Sequence, residues 1–260
     1  MSATNAKEPI AINDDFADED SSRYIKSFMF VKGFAVALDL QQTLIALAIA
    51  RKMHCGQTRK DGTPYISHPL KVCSTLINYG VKDDVTLAAA LLHDVVEDCK
   101  DKLPFGGKEL ITEYGIDPEV YRIILLLSKD SGLNDYELSV YFNEIKKDYR
   151  ATAVKLADRF HNSQTLYAFK HDKLLKYIRE TEMFILPMAS YAKYHYPWWT
   201  NIFSILKTNI YSLNHSMQII VGMYDEQIAE LTKQSSGTGM PMPKPKDVPR
   251  TTASDENTIT

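Results

Sequence analysis

The sequence predicts an all-α protein, and three observations carry that reading: apolar residues recur at helical spacing, alternating strand-like runs are nearly absent, and the breaks between apolar segments have helix-end chemistry. With 260 residues, 45% of them hydrophobic and 24% charged, the chain is long enough for one substantial core.

Residues 1–22 set six acids, Glu8 to Asp20, against Lys7 with little to bury, which predicts a flexible acidic arm. Asp39 to Cys55 is an unbroken run of good helix formers that stops at Gly56, a residue suited to a left-handed cap. After the loop TRKDGTPY, Ser67 or His68 leads through Pro69 into LKVCSTLINYG, with proline in the first turn and glycine at the end. Asp83 or Asp84 then caps VTLAAALLHDVVED, whose apolar surface places it in the core. Pro104 and Gly106-Gly107 break the chain, KELITEYG is a short helix, and Asp117-Pro118 opens another through EVYRIILLLSKD. Helices follow over Asp135 to Lys147 and Tyr149 to Phe169, and helical periodicity continues over Lys173 to Tyr194 and Trp198 to Thr232. Trp198-Trp199 and the tyrosines from Tyr191 to Tyr196 read as core. Residues 23–200 form the main domain, 201–234 a C-terminal helical extension, and 235–260, rich in Ser, Thr, Gly and Pro, a disordered tail.

A net charge of −3 provides no basic field for nucleic acid or anionic membrane, so neither partner is expected and any nucleotide site must be built locally. Cys55, Cys73 and Cys99 have no CxxC spacing and are odd in number, which predicts neither a disulfide framework nor a structural zinc site. No leader-like start or run of about 18 apolar residues is present, and a cytoplasmic location is expected.

Buried charge needs a partner or a metal, and His93, Asp94, Glu97 and Asp98 close the apolar run TLAAALL. On a continuous helix Asp94, Glu97 and Asp98 share one face, with His93 about 100° round the axis. Imidazole plus carboxylate suits Mn, Fe or Zn rather than calcium. Taken alone, HDVVED also fits a helix end whose acids face water. Asp158, Asn162 and Thr165 form a second polar stripe, which reads as either a pocket wall or a solvated face. In QTRKDGTPYISHP, Arg59 and Lys60 sit in a short loop and suit phosphate or a purine face, although such loops usually face solvent.

Together, HCGQTRKDGTPYISHPLKV, AALLHDVVEDC and VKLADRFHNSQTL, in that order, resemble the hydrolase domain of the RelA/SpoT alarmone enzymes, with a fainter match through Arg179-Glu180-Thr181. The resemblance implies an HD-domain helical bundle over residues 23–200, with His68, His93, Asp94 and Asp158 as ligands to a metal that is usually Mn²⁺ in this family. It also implies that Glu97 and Asp98 orient or deprotonate the attacking water, and that Arg59, Lys60, Asn162 and Thr165 line the nucleotide pocket. His54 and His161 lie in the matching blocks without being family ligands and read as structural. Two departures stand out. Asp61 replaces a small residue in the substrate loop, which bears on base preference, and ILPMASYAKYH replaces the family's Tyr-Ala-Pro-Leu-Ala pattern. With no room for a synthetase domain, the chain looks like a stand-alone small alarmone hydrolase that removes the 3′-pyrophosphate of (p)ppGpp. The competing readings are HD chemistry on ppApp or NADPH, and a binding protein that sequesters alarmones or neutralises a toxin.

Overall fold

The computed structural model describes residues 21–129, 132–166 and 169–238, and among them no strand occurs, only an isolated antiparallel bridge between Thr58 and Pro64. Most of the acidic arm read over 1–22 and most of the tail read over 235–260 lie outside the described residues. The chain divides into two units, Met1–Met217 and Gln218–Thr260.

In the first unit the helices are α1 (Ile25–Ala37), α2 (Gln41–Met53), α3 (Ser67–Asn78), α4 (Asp84–Leu92), α5 (Val95–Asp98), α6 (Glu109–Thr112), α7 (Pro118–Leu127), α8 (Asp135–Ile145), α9 (Tyr149–Ser163), α10 (His171–Glu180) and α11 (Leu186–His195). Helix α12 (Thr200–Thr238) begins here, and its residues from Gln218 on belong to the second unit, where Met223, Tyr224, Ile228 and Leu231 are exposed. It extends into the stretch read as tail. No helix among the described residues is long and apolar enough to cross a membrane.

Helix α4 is the centre of the first unit. Every residue from Leu87 to Leu92 is fully buried, packed among α2, α3, α7 and α9. Adjacent aspartates at its start do two jobs. Asp83 caps α4 by accepting from the Thr86 N–H at 2.9 Å, while Asp84 caps α2 by accepting from the Gln42 N–H at 2.8 Å and from the Thr43 N–H and hydroxyl, both at 2.7 Å. The carboxylate of Asp84 thus ties two core helices together at their N-termini. Asp84→Ala is expected to lower the unfolding free energy by about 1–3 kcal/mol with an unchanged m-value in urea. A change within about 0.3 kcal/mol would show that water replaces these bonds at no cost.

Several elements differ from the sequence reading. Helix α1 is apolar on all sides and offers no stripe, so periodicity alone gave it no bounds; it buries Phe28, Val31 and Ala35 and leaves Phe30 and Val36 exposed. The run VTLAAALLHDVVED is two helices with a turn at His93-Asp94. Helix α9 stops at Ser163 rather than Phe169, with Tyr167 and Ala168 outside the described residues. Between α10 and α11 lies a π-helical turn, Thr181–Ile185. Pro187 explains it: lacking an N–H, proline cannot continue the α-helical ladder, and a wider turn absorbs the missing bond. Trp198 is 62% exposed and Tyr194 76%, so these two are not core, whereas Trp199 packs against it.

Candidate metal centre and active site

Three elements bring four donor side chains together. His68 stands in the first turn of α3, His93 and Asp94 at the break between α4 and α5, and Asp158 on α9. The break lets both members of the His-Asp pair face one point. His93 Nε2 is 3.3 Å from Asp94 Oδ1 and 3.2 Å from His68 Nε2. His68 Nε2 is 3.3 Å from Asp94 Oδ2 and 3.3 Å from Asp158 Oδ1, which lies 3.8 Å from His93 Nε2. Donors about 2.1 Å from a common metal are about 3.4 Å apart at tetrahedral corners and about 3.0 Å apart at neighbouring octahedral ones. His68, His93 and Asp94 therefore fit one divalent cation in spacing and in chemistry, with Asp158 beside both histidines.

The ring nitrogens turned away from this point are also committed. His93 Nδ1 donates to the Ala90 carbonyl at 2.9 Å, which turns Nε2 toward the donor cluster. His68 Nδ1 lies 2.7 Å from His161 Nδ1. Burial, together with the charge of His68, lowers the His161 imidazole to about 3, so His161 is neutral and can accept from His68. His161 is thus structural in a specific sense: it orients a donor. Tyr65 does the same for Asp94, donating to Oδ2 at 2.8 Å, and its ring stacks on His54 at 4.7 Å.

Burial would lower the His93 imidazole, but the charges of Asp94 and Asp158 outweigh it and push it up to about 9. Burial would raise both carboxyls; His93 and His68 hold Asp94 far below the usual range, and Lys155 with the two histidines does the same for Asp158. Lys155 Nζ is 3.2 Å from Asp158 Oδ2.

His68, Asp94, Lys155 and Asp158 line a cleft of ≈ 820 Å³, with His93 buried behind them. Glu97 and Asp98 on α5 form part of its wall. Glu97 is half-buried, burial raises its carboxyl, and Oε1 accepts from the backbone N–H of Lys129. Asp98 is exposed. Arg59, Lys60, Asp61, Asn162 and Thr165 line the cleft as well. Asn162 links the donor cluster to the basic loop, donating to Asp158 Oδ1 at 2.6 Å and accepting from Arg59 at 3.1 Å. Thr165 lies in the turn beyond α9 rather than on its stripe, with its hydroxyl 3.2 Å from the Asn162 carbonyl. The exposed carboxylate of Asp61 is engaged by its own loop, accepting from the Thr63 N–H at 3.0 Å and hydroxyl at 2.7 Å.

Sequence reasoning missed much of the remaining wall, including Lys129, Lys155, Arg159, Lys173, Lys176 and Glu180. The ammonium groups of Lys60 and Lys173 lie 5.8 and 4.2 Å from the ring centre of Phe169. A donor set for a cation, with lysines and arginines along the walls, suits a polyanionic ligand.

Residues 46–190 match the family model described as HD domain. The chain is 36% identical over 163 residues to a GTP pyrophosphokinase of Streptomyces coelicolor (strain ATCC BAA-471 / A3(2) / M145), covering 58% of this chain and 18% of that one. It is 33% identical over 155 residues to the bifunctional (p)ppGpp synthase/hydrolase SpoT of Escherichia coli (strain K12), covering 58% and 22%. The chain thus spans about a fifth of the length of these relatives. A solved structure described as a metazoan ortholog of SpoT that hydrolyzes ppGpp and plays a role in starvation responses superimposes with a TM-score of 0.52 at 21% identity, covering 67% of this chain and 94% of that one. The likeness to RelA/SpoT enzymes implied by the three sequence blocks is borne out by these relatives.

Proposed function

The chain belongs to the HD domain family, and on that premise we propose that it hydrolyses the 3′-pyrophosphate of guanosine alarmones, giving GDP or GTP and pyrophosphate. The observation that carries this reading is the two-histidine, two-carboxylate cluster of which His68, Asp94 and Asp158 open into a cleft that Arg59, Lys60, Lys129 and Glu97 also line. The relatives named for ppGpp support guanosine as the base. A cytoplasmic location goes with that substrate.

His68, His93, Asp94 and Asp158 would hold the cation, with Mn²⁺ as our assignment. A bound divalent cation supplies Lewis acidity for a phosphoryl oxygen and lowers the pKa of water from 15.7 to about 7. Glu97, fixed through Oε1 by the Lys129 N–H, orients the attacking water and takes its proton, with Asp98 assisting at the cleft mouth. Water attacks the phosphorus attached to the 3′ oxygen, that P–O bond breaks, and the 3′ oxygen leaves as the hydroxyl while pyrophosphate departs. Lys155 and Lys129 offset phosphate charge near the donor cluster, and Arg59, Lys60, Asn162 and Thr165 hold the nucleoside and its 5′-phosphates. Asp61 enters this account as a rim group tied to Thr63, where it bears on base preference through loop shape.

The substrate is tested with ppGpp, pppGpp, ppApp and NADPH, scoring pyrophosphate and orthophosphate separately. The guanosine alarmones are expected to turn over fastest, with pyrophosphate as product. Faster turnover of ppApp or NADPH would move the reading to another nucleotide, and tight binding of all four with no turnover would make the protein a sequestering module.

Cation binding should also depend on pH in a defined direction. With His93 pushed up to about 9, its imidazole carries a proton at neutral pH that a cation must expel. Apparent Mn²⁺ affinity is therefore expected to rise about tenfold per pH unit between about pH 6 and 8, with close to one proton released. Calorimetric titrations in buffers of different ionisation enthalpy measure both quantities, and an affinity flat with pH would place the cation away from His93.

A further inference from the structure

The carboxylate that handles the water proton is held by a backbone group with little helical support. Helix α7 ends at Leu127, Ser128 is extended with φ −67° and ψ 132°, and the next N–H, that of Lys129, donates to Glu97 Oε1. What fixes Lys129 lies far away in sequence. Its ammonium is 3.4 Å from Glu180 Oε2, and the other oxygen of Glu180 accepts from Arg159. Arg159 is buried and held on several sides: it directly follows Asp158, its guanidinium sits 4.1 Å over the Tyr177 ring, and its second nitrogen donates to the Thr181 hydroxyl at 3.3 Å.

We infer that Glu180 is a positioning residue, a clamp between Arg159 on the metal-donor helix and Lys129 that holds the Lys129 N–H, and through it Glu97, in place. The π-helical turn that starts at Thr181 belongs to this device. Neighbouring residues on a regular α-helix point about 100° apart, yet Glu180 and Thr181 both meet one guanidinium where the helix widens. The charges point the same way. Lys129, Lys155 and Arg159 share the cleft wall, and Glu180 stands between two of them. Without its charge, Lys129 is repelled toward solvent and its backbone follows. Burial would raise the Glu180 carboxyl, but Arg159 and Lys129 outweigh it and keep it ionised for this task.

The inference rests on the proposed hydrolysis, and its test separates the two. Glu180→Gln keeps the shape and an oxygen for Arg159 but removes the charge that holds Lys129. The variant is expected to lose roughly 10–100-fold in kcat on ppGpp, because a misplacement of about 1 Å at a reacting group costs about that much. KM should stay within about threefold and metal content should match the wild type, a split that a general loss of structure would not give. Glu180→Asp, which keeps the charge, should recover most of the loss, and Glu180→Gln added to Lys129→Met should cost no more kcat than Lys129→Met alone. A crystal structure of Glu180→Gln should show the Glu97 carboxylate off the Lys129 N–H, and this readout needs no substrate, so it decides the inference even if the wild type leaves ppGpp intact. Unchanged kcat, a rise confined to KM, or Glu97 still seated on Lys129 would overturn it.

Discussion

Asp158→Asn should lower turnover by at least about 10³-fold and reduce bound metal from one equivalent to a small fraction, because the cation contributes several kcal/mol to the transition state. Asp158 is the donor whose loss is felt most widely. Its Oδ1 faces both histidines, at 3.3 and 3.8 Å, and receives the Asn162 amide, while Oδ2 faces Lys155. The amide is isosteric, so a fall in activity reports lost charge rather than lost packing. Lys155 reinforces the effect: burial would lower its ammonium, but the Asp158 carboxylate keeps it charged, and without Asp158 that charge sits against the donor cluster and repels a cation. Metal analysis of the purified variant beside initial rates checks both halves. Full metal content with normal rates would remove Asp158 from the ligand set.

Glu97→Gln should behave differently, losing about 10²–10⁴-fold in kcat while metal content stays at the wild-type level. Its amide oxygen can still accept from the Lys129 N–H, so the side chain remains in place and only the ability to take a proton is gone. Asp98→Asn is expected to cost less. Asp98 is exposed, whereas Glu97 is half-buried, raised by that burial and fixed by a backbone donor. Comparable losses from both, or the larger loss at Asp98, would transfer the proton-handling role.

His93 and Asp94 stood out as charge closing an apolar run, although that run alone also fitted a solvated helix end; His68 and Asp158 entered the donor set only through the family resemblance, and the structure places all four side chains near one another. The bend that makes this possible was not legible. A run such as LLHDVVED carries no breaker, and the turn at His93-Asp94 arises where the imidazole bonds the Ala90 carbonyl. The wall residues were invisible for a different reason. Lys129 meets Glu97 across 32 positions through its backbone, and Glu180 meets Lys129 across 51. No spacing rule reaches that far, and a backbone donor has no side-chain signature. His161 was set aside because it is not a ligand, yet its neutral ring takes the bond that orients one. The π-helical turn did leave a trace, since Pro187 within a helical pattern signals a broken ladder, and the departure from the family pattern falls at that point.

The most direct measurement is a time course of purified protein with ppGpp, with and without Mn²⁺, resolving pyrophosphate from orthophosphate and repeated with His93→Ala. Release of one pyrophosphate per GDP formed, dependent on both the cation and His93, is the predicted result. Orthophosphate as the main product, or pyrophosphate release that persists without the cation or in His93→Ala, would contradict the account.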